Sequence, residues 1–175
     1  MNQYSNTSPV QQNSCGYSRN QTFVANLPYV LMVLAGAMVI GIAMRFSISG
    51  LVIAGLYIVY GIGGAFWIIY FLCPHCCFYG TNFCPCGYGK ISAMMRKPVS
   101  VRDFRKMFRR HIPVIVPLWF IPPVVALSGR YSLLLVITTG LFILVGFVIL
   151  PLVSRHRSCS TCGQKDNCPW MTKKL

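Results

Sequence analysis

The stretch ISGLVIAGLYIVYGIGGAFWIIYFL, residues 48–72, decides the fold, because it runs for 25 positions without one charged side chain. A helix needs about 20 apolar residues to cross the roughly 30 Å hydrocarbon core of a bilayer. Three further apolar runs occupy residues 27–44, 112–128 and 131–153. The sequence therefore predicts an all-α membrane protein with four transmembrane helices.

Very short connections join these runs in pairs. Residues 45–47 link the first two runs, and Gly129 and Arg130 link the last two. Helices joined by so few residues lie antiparallel, so we predict two antiparallel hairpins, over residues 27–72 and 112–153. The third run should be bent, because proline lacks a backbone N–H. It contains Pro113, Pro117, Pro122 and Pro123.

Composition agrees with a membrane location. Of the 175 residues, 55% are hydrophobic and 10% are charged, whereas a soluble domain carries about 25% charged residues. Sixteen Lys and Arg stand against two acids, Asp103 and Asp166. No Asp, Glu, Lys, Arg or His lies inside the four runs. This argues against a proton-coupled transporter or ion pump, in which such groups mark the pathway.

The distribution of the basic residues predicts the orientation, because positively charged segments stay in the cytoplasm. Arg45 and Arg130 lie in the two short connections. The other fourteen lie in the middle loop and the tails: Lys90, Arg96, Lys97, Arg102, Arg105, Lys106, Arg109 and Arg110, then Arg155, Arg157, Lys165, Lys173 and Lys174, and Arg19. We therefore expect both termini and the middle loop to be cytoplasmic.

Outside the spans we distinguish three segments. Residues 1–26 are rich in Asn, Gln, Ser and Thr and predict a disordered polar tail. Residues 73–111 form a Cys-rich loop followed by a basic helix, and residues 154–175 form a Cys-rich tail.

The basic helix should lie in the membrane interface. Ser100 and Asp103 have the spacing of an N-terminal capping box, which predicts a short amphipathic helix over residues 101–111. Its apolar face would comprise Val101, Phe104, Met107, Phe108 and His111. Such a helix favours a bilayer with anionic headgroups as its partner. No nucleic-acid recognition fold accompanies it, so nucleic acid is not a predicted partner.

Eight of the nine cysteines form two clusters. The first, CPHCCFYGTNFCPCGYGK from residue 73, contains Cys73, Cys76, Cys77, Cys84 and Cys86. The second, CSTCGQKDNCPW from residue 159, contains Cys159, Cys162 and Cys168. Both follow helices that should end on the same membrane face, so they can meet and provide two four-ligand sites. Cys15 is left over.

In a reducing cytosol, Cys-x-x-Cys spacing indicates metal or redox chemistry rather than structural disulfides. Zinc is the simplest cofactor, because closed four-thiolate zinc sites are common. An iron-sulfur cluster is the alternative. Cys73, Cys84 and Cys168 each precede proline, which is a feature of ferredoxin ligand runs.

The tetrapeptide Cys73-Pro74-His75-Cys76 resembles the active site of periplasmic thiol oxidases of the thioredoxin superfamily. The resemblance covers these four residues and implies thiol-disulfide exchange by Cys73 and Cys76. Those enzymes place the first cysteine at a helix N-terminus. Here it should follow a helix C-terminus, where the helix dipole disfavours a thiolate. We expect His75 to be a solvated loop histidine.

Three functional interpretations remain. The first is a membrane protein whose thiolate-bound zinc organises the cytoplasmic face and docks a protein partner. The second is an electron-transfer subunit with an iron-sulfur centre, and the third is a thiol-disulfide oxidoreductase. The sequence shows no nucleophile with a partnered base, no acidic pair and no phosphate-binding glycine loop, so it does not favour an enzyme.

Overall fold

The computed structural model describes residues 17–155, which contain helices and turns and no strand. The α-helices are α1 (Arg19–Ala43), α2 (Ile48–Phe71), α3 (Tyr88–Met95), α4 (Phe104–His111), α5 (Pro117–Ser128), α6 (Leu133–Ile143) and α7 (Leu150–Val153). A π-helical segment, Leu144–Ile149, joins α6 to α7. Short 3-10 turns occupy Cys73–His75, Val101–Asp103 and Ile112–Val114.

The prediction of four helices long and apolar enough to cross a membrane is confirmed. The four stretches are Arg19–Ala43, Ile48–His75, Val101–Ser128 and Leu133–Val153. Large apolar side chains cover their outer surface, and Leu133, for example, is 77% exposed. Apolar surface on this scale is unfavourable in water and suits the hydrocarbon of a bilayer, so the architecture is consistent with a multi-pass membrane protein.

Helix α1 begins earlier than the polar composition of residues 1–26 indicates. The Ser18 hydroxyl accepts a hydrogen bond from the backbone N–H of Gln21, and the Gln21 side chain accepts one from the backbone N–H of Ser18. This capping box satisfies free donors of the first turn. Residues 19–26 are therefore helical, and the predicted polar tail over residues 1–26 is wrong for this part. Residues 1–16 of that tail lie outside the described residues.

Helix α1 is the centre of the bundle. It packs against α2, α5, α6 and the π-helical segment, whereas α5 and α6 contact each other less extensively. Met32 and Ile40 of α1 are fully buried against Leu118 of α5 and Phe142 of α6. The contacts show the other three spans packed on α1, and the two-hairpin arrangement stays a prediction.

The packing of α1 on α2 depends on small residues. A methyl group at Gly36 would lie 2.5 Å from the Tyr57 hydroxyl, and one at Gly61 would lie 2.9 Å from Val33. Tyr29 of α1 donates a 2.8 Å hydrogen bond to the carbonyl of Gly61. The two backbones can approach closely only where a side chain is absent, as is usual for helices packed in lipid.

The proline-rich third span is bent, as its sequence predicts. The α-helix gives way to a 3-10 turn at Ile112–Val114 and a turn at 115–116 before α5 begins. Pro122 cannot donate to the carbonyl four residues before it, that of Leu118. The Tyr57 hydroxyl donates to this carbonyl at 2.7 Å, and the Tyr60 hydroxyl donates to the Val114 carbonyl. Tyrosines of α2 therefore satisfy backbone groups of the third span.

The fourth span contains a similar arrangement. The N–H of Leu150 donates to Val145, five residues back, and in this register the carbonyl of Gly146 would accept from residue 151. That residue is Pro151, which has no N–H. The indole N–H of Trp119 donates to the Gly146 carbonyl instead, at 3.0 Å.

The two ends of the bundle differ in charge. A methyl group at Gly129 would lie 3.0 Å from the Ala43 side chain, so the short connections that carry Arg45 and Arg130 lie at the same end. Within residues 17–155, the other ten Lys and Arg lie at the opposite end: Arg19, Lys90, Arg96, Lys97, Arg102, Arg105, Lys106, Arg109, Arg110 and Arg155.

Candidate functional site

The first cysteine turn caps the C-terminal end of α2. Cys73–His75 form a 3-10 turn, and the N–H of Cys76 donates to the carbonyl of Cys73 at 3.0 Å. Pro74 favours such a turn because its ring fixes φ. The carbonyl of Pro74 accepts a 2.9 Å hydrogen bond from the N–H of Val99, so the segment after α3 holds this turn in place.

The second cysteine turn lies against the first helix. The N–H of Gly87 donates to the carbonyl of Cys84 at 3.0 Å, and Gly87 has a φ of +72°. Only glycine adopts this conformation without strain, and a methyl group there would also lie 2.8 Å from the Thr22 side chain. The Asn26 amide donates to the carbonyl of Cys86 at 3.1 Å. The first two turns of α1 therefore position this turn.

The two turns bring four thiols into one region. Cys84, Cys76 and Cys86 all lie within range of electrostatic interaction with Cys73. These four residues are half-buried, whereas Cys77 is exposed. We call Cys73, Cys76, Cys84 and Cys86 the thiol cluster.

Tyr88 lies near the thiol cluster. Its hydroxyl lies within electrostatic range of Cys86, Cys73 and Cys84, and of Tyr29 in α1, and burial raises the pKa of this phenol.

The thiol cluster does not by itself have the geometry of a metal site. Within residues 17–155, no three His, Cys, Asp or Glu side chains are placed so that they could hold one ion. The predicted ligands Cys159, Cys162 and Cys168, and the leftover Cys15, lie outside the described residues. The donor set is chemically suited to zinc, but binding would have to draw the thiols closer together.

The geometry is unfavourable for a nucleophilic thiolate. The Cys73-Pro74-His75-Cys76 turn follows the C-terminal end of α2, whose partial negative charge opposes a thiolate. A hydrogen bond with Cys77, together with burial, raises the pKa of the Cys76 thiol. Thiol oxidases of the thioredoxin superfamily need the opposite, a thiol with a lowered pKa.

His75 is not solvated, and this prediction is wrong. The residue is 4% exposed, and its Nδ1 lies 2.9 Å from the carbonyl oxygen of Ser100. The segment that follows α3 folds back over the first cysteine turn and excludes water from the ring. No local pattern in the sequence distinguishes this histidine from a loop residue, because the contact spans 25 positions.

The predicted capping box at Ser100 is also wrong. Its side chain makes no capping hydrogen bond, Val101–Asp103 form a 3-10 turn, and the α-helix begins at Phe104. The Ser100 carbonyl is engaged by His75, which fixes the backbone in a different arrangement. The amphipathic pattern of α4 is present nonetheless. Its basic side chains are exposed, namely Arg105, Lys106, Arg109 and Arg110, and its other side chains are half-buried.

A cluster of aromatic and basic side chains lies at the end of α2, and the sequence analysis did not identify it. The ring of His111 stacks on Phe71 with 4.8 Å between centroids and 15° between planes. The guanidinium of Arg96 lies 5.2 Å from the Tyr70 ring and 5.9 Å from the Phe71 ring. The cluster could have been suspected from the sequence, because the spacing of Trp67, Tyr70 and Phe71 places them on one face of a helix.

The comparisons with known proteins give no functional information. No known family, no curated protein and no solved structure matches this chain. The chain is therefore characterised by its own residues: four membrane-length helices, three of them packed on α1, with a half-buried thiol cluster at the basic end.

Proposed function

We propose that the thiol cluster binds zinc and that the bound ion organises the cytoplasmic face of a multi-pass membrane protein. Zinc prefers four-thiolate tetrahedral sites when its role is structural. Cys73 and Cys76 would supply two ligands from the turn that ends α2. Cys84 and Cys86 would supply two from the turn that rests on α1. The ion would then join two spans through their cytoplasmic ends.

The observation that carries this proposal is the convergence of two cysteine turns from different parts of the chain. Each turn is held by its own contacts, Val99 with Pro74 and Asn26 with Cys86. Burial raises the pKa of the Cys73 thiol, and a divalent cation would stabilise the thiolates that bind it. Four thiols brought into one region form the donor set of a four-thiolate cation site.

The remaining predicted ligands would form a second site. Cys77 is exposed beside the thiol cluster, and Cys159, Cys162 and Cys168 follow the fourth span in the sequence. If the fourth span ends on the same face, these thiols can meet Cys77. The proposal is then two zinc ions per chain, the second of which ties the C-terminal tail to the bundle.

The metal content can be measured directly. The full-length protein is purified in detergent without oxygen and analysed for metals and visible absorption. We expect a colourless protein with about two zinc ions per chain, at four thiolates per ion. Cys73→Ser combined with Cys84→Ser should remove one ion, and Cys15→Ser is the matched control that should remove none.

Two other outcomes would overturn the zinc assignment. A brown protein whose visible absorption bleaches on reduction would show an iron-sulfur cluster and favour the electron-transfer interpretation. A protein without metal, whose Cys73 is trapped in a mixed disulfide, would favour the thiol-disulfide interpretation.

We further propose that both termini and the thiol cluster face the cytoplasm. The ten basic residues at one end of the described bundle and the pair Arg45 and Arg130 at the other support this orientation. A membrane-impermeant thiol reagent applied to intact cells should label a cysteine introduced at Tyr131 and should not label Cys77. Labelling of Cys77 from outside would show that the orientation is the opposite of the one proposed.

The face so formed is proposed to dock a protein partner. Lys90 of α3 and the four basic residues of α4 are exposed at the same end of the bundle as the thiol cluster, and the only acid within residues 17–155 is Asp103. Charge complementarity therefore selects a partner with an acidic surface. The partner should co-purify from cells with the Cys15→Ser protein and not with the Cys73→Ser, Cys84→Ser protein. Equal recovery with both proteins would show that docking does not depend on the metal.

A further inference from the structure

The aromatic and basic side chains at the end of α2 come from three parts of the chain and meet around His111. Phe71 and Trp67 of α2 contact its ring, with 4.8 Å and 5.8 Å between centroids. Arg110, His75 and Arg96 all lie within electrostatic range of the same ring. Two guanidinium groups, those of Arg96 and Arg110, therefore lie near the His111 ring.

Arg96 is held in place by its surroundings. Its guanidinium rests on the rings of Tyr70 and Phe71, and one of its N–H groups donates to the Tyr70 carbonyl at 3.4 Å. A guanidinium has five N–H donors in a planar fork, which matches two oxygens of a phosphate. An arginine fixed by stacking loses less conformational freedom on binding than a mobile one.

The negative charge needed to balance this region is missing from the described part of the chain. Asp103 is the one carboxylate side chain within residues 17–155, and it belongs to the turn before α4. The indole N–H of Trp67 is buried and has no hydrogen-bond partner in the structure. A buried donor without an acceptor is unfavourable, because it has lost its hydrogen bonds to water. An anion that accepts hydrogen bonds would satisfy the donor and balance the charge.

We propose that a phosphate-bearing anion binds between Arg96, Arg110 and His111, with the indole N–H of Trp67 as a further donor. The region lies where α2 ends, which is headgroup level if the spans cross a bilayer. Tryptophan and arginine are common at that level. The phosphate of an anionic lipid headgroup therefore fits best. A free phosphate has the same chemistry and is distinguished by experiment.

The test uses the full-length protein in a neutral detergent. Phosphatidylglycerol or inorganic phosphate is added, lipid retention is followed by native mass spectrometry, and stability by thermal unfolding. We expect phosphatidylglycerol to bind and to raise the unfolding temperature. Arg110→Gln should weaken binding about fivefold, as should Arg96→Gln. Arg110 is exposed, so its variant keeps the fold even if Arg96→Gln does not.

Two matched controls separate a site from general attraction. Arg105→Gln removes an exposed charge from the same helix, and Arg130→Gln removes one from the other end of the bundle. Both should bind like the wild type. Equal weakening by Arg105→Gln and Arg110→Gln would overturn the proposal in favour of diffuse attraction, as would the absence of binding in both arms. Binding of inorganic phosphate with the same variant pattern, but not of lipid, would identify a free anion as the occupant.

This proposal does not depend on zinc. The Cys73→Ser, Cys84→Ser protein tests the two proposals separately. If it loses its metal and still binds lipid, the phosphate site does not require the zinc site. Weaker lipid binding by an Arg110→Gln protein that keeps its full zinc content would also show that the two sites are independent.

Discussion

The indole nitrogen of Trp119 donates a hydrogen bond to the carbonyl oxygen of Gly146 across two adjacent spans. The acceptor is available because Pro151 cannot donate to it. Tyr57 and Leu118 repeat the relationship, with Pro122 as the residue that frees the carbonyl. In lipid, a backbone group without a hydrogen-bond partner cannot bond to water instead. These side chains therefore allow prolines to be placed inside membrane-length helices.

We expect Trp119→Phe to destabilise the protein by about 0.6 kcal/mol and by no more than about 1.7 kcal/mol, the average and the maximum for hydrogen bonds between membrane helices. The measurement is unfolding by titration with a denaturing detergent. In a Pro151→Ala background the carbonyl of Gly146 regains a backbone donor, so the same Trp119→Phe change should cost less. An equal cost in both backgrounds would mean that the indole acts through packing alone.

Tyr57→Phe removes one oxygen and leaves the Leu118 carbonyl without its donor. We expect a loss of about 1 kcal/mol in the free energy of unfolding. Tyr131→Phe is the matched control, because Tyr131 is 76% exposed, and it should leave stability unchanged. If both variants unfold at the same detergent concentration as the wild type, the Tyr57 hydroxyl contributes nothing to the third span.

Gly36→Ala should weaken the packing of α1 on α2. The new methyl group would lie within 2.8 Å of three atoms of the Tyr57 ring and hydroxyl, and that ring is held by its bond to Leu118. Overpacking of this kind costs about 1 to 3 kcal/mol. Gly55→Ala makes the same chemical change where no atom lies within 4 Å, so its stability should equal or exceed that of the wild type. A stable Gly36→Ala protein would show that the two helices can separate freely.

Ser18→Ala should unravel the start of α1 without affecting the rest of the helix. Loss of an N-cap costs about 1 kcal/mol, and the first turn holds Thr22 against Gly87. Hydrogen exchange at residues 19–22 and 84–87 should become faster together, while exchange in α2 stays the same. Asn20→Ala, at an exposed position inside the first turn, is the control and should leave both segments protected.

The four spans could be predicted from the sequence because length and hydropathy are properties of each segment alone. Residues 48–72 need no partner to be identified as a span. The start of α1 was harder, since Asn, Gln and Thr make up half of residues 19–26 and mask the capping box of Ser18 and Gln21. Composition over a window averages out the two side chains that determine where the helix begins.

The contacts that define the candidate site could not be predicted in this way. His75 meets Ser100 and Asn26 meets Cys86 over long separations in the chain, and neither pair leaves a periodic pattern. The cysteines of the first cluster were identified from their spacing, and the structure brings four of them together. Their chemistry stays a prediction, because residue type and proximity do not specify which ion is bound.

The central position of α1 has a consequence for biosynthesis. This helix is translated before the other three, and all of them pack on it. The later spans therefore enter the bilayer with their main contact surface already present, and each can be captured as it emerges. A substitution on the buried face of α1 would thus impair the packing of the later spans while they insert, before the protein is complete.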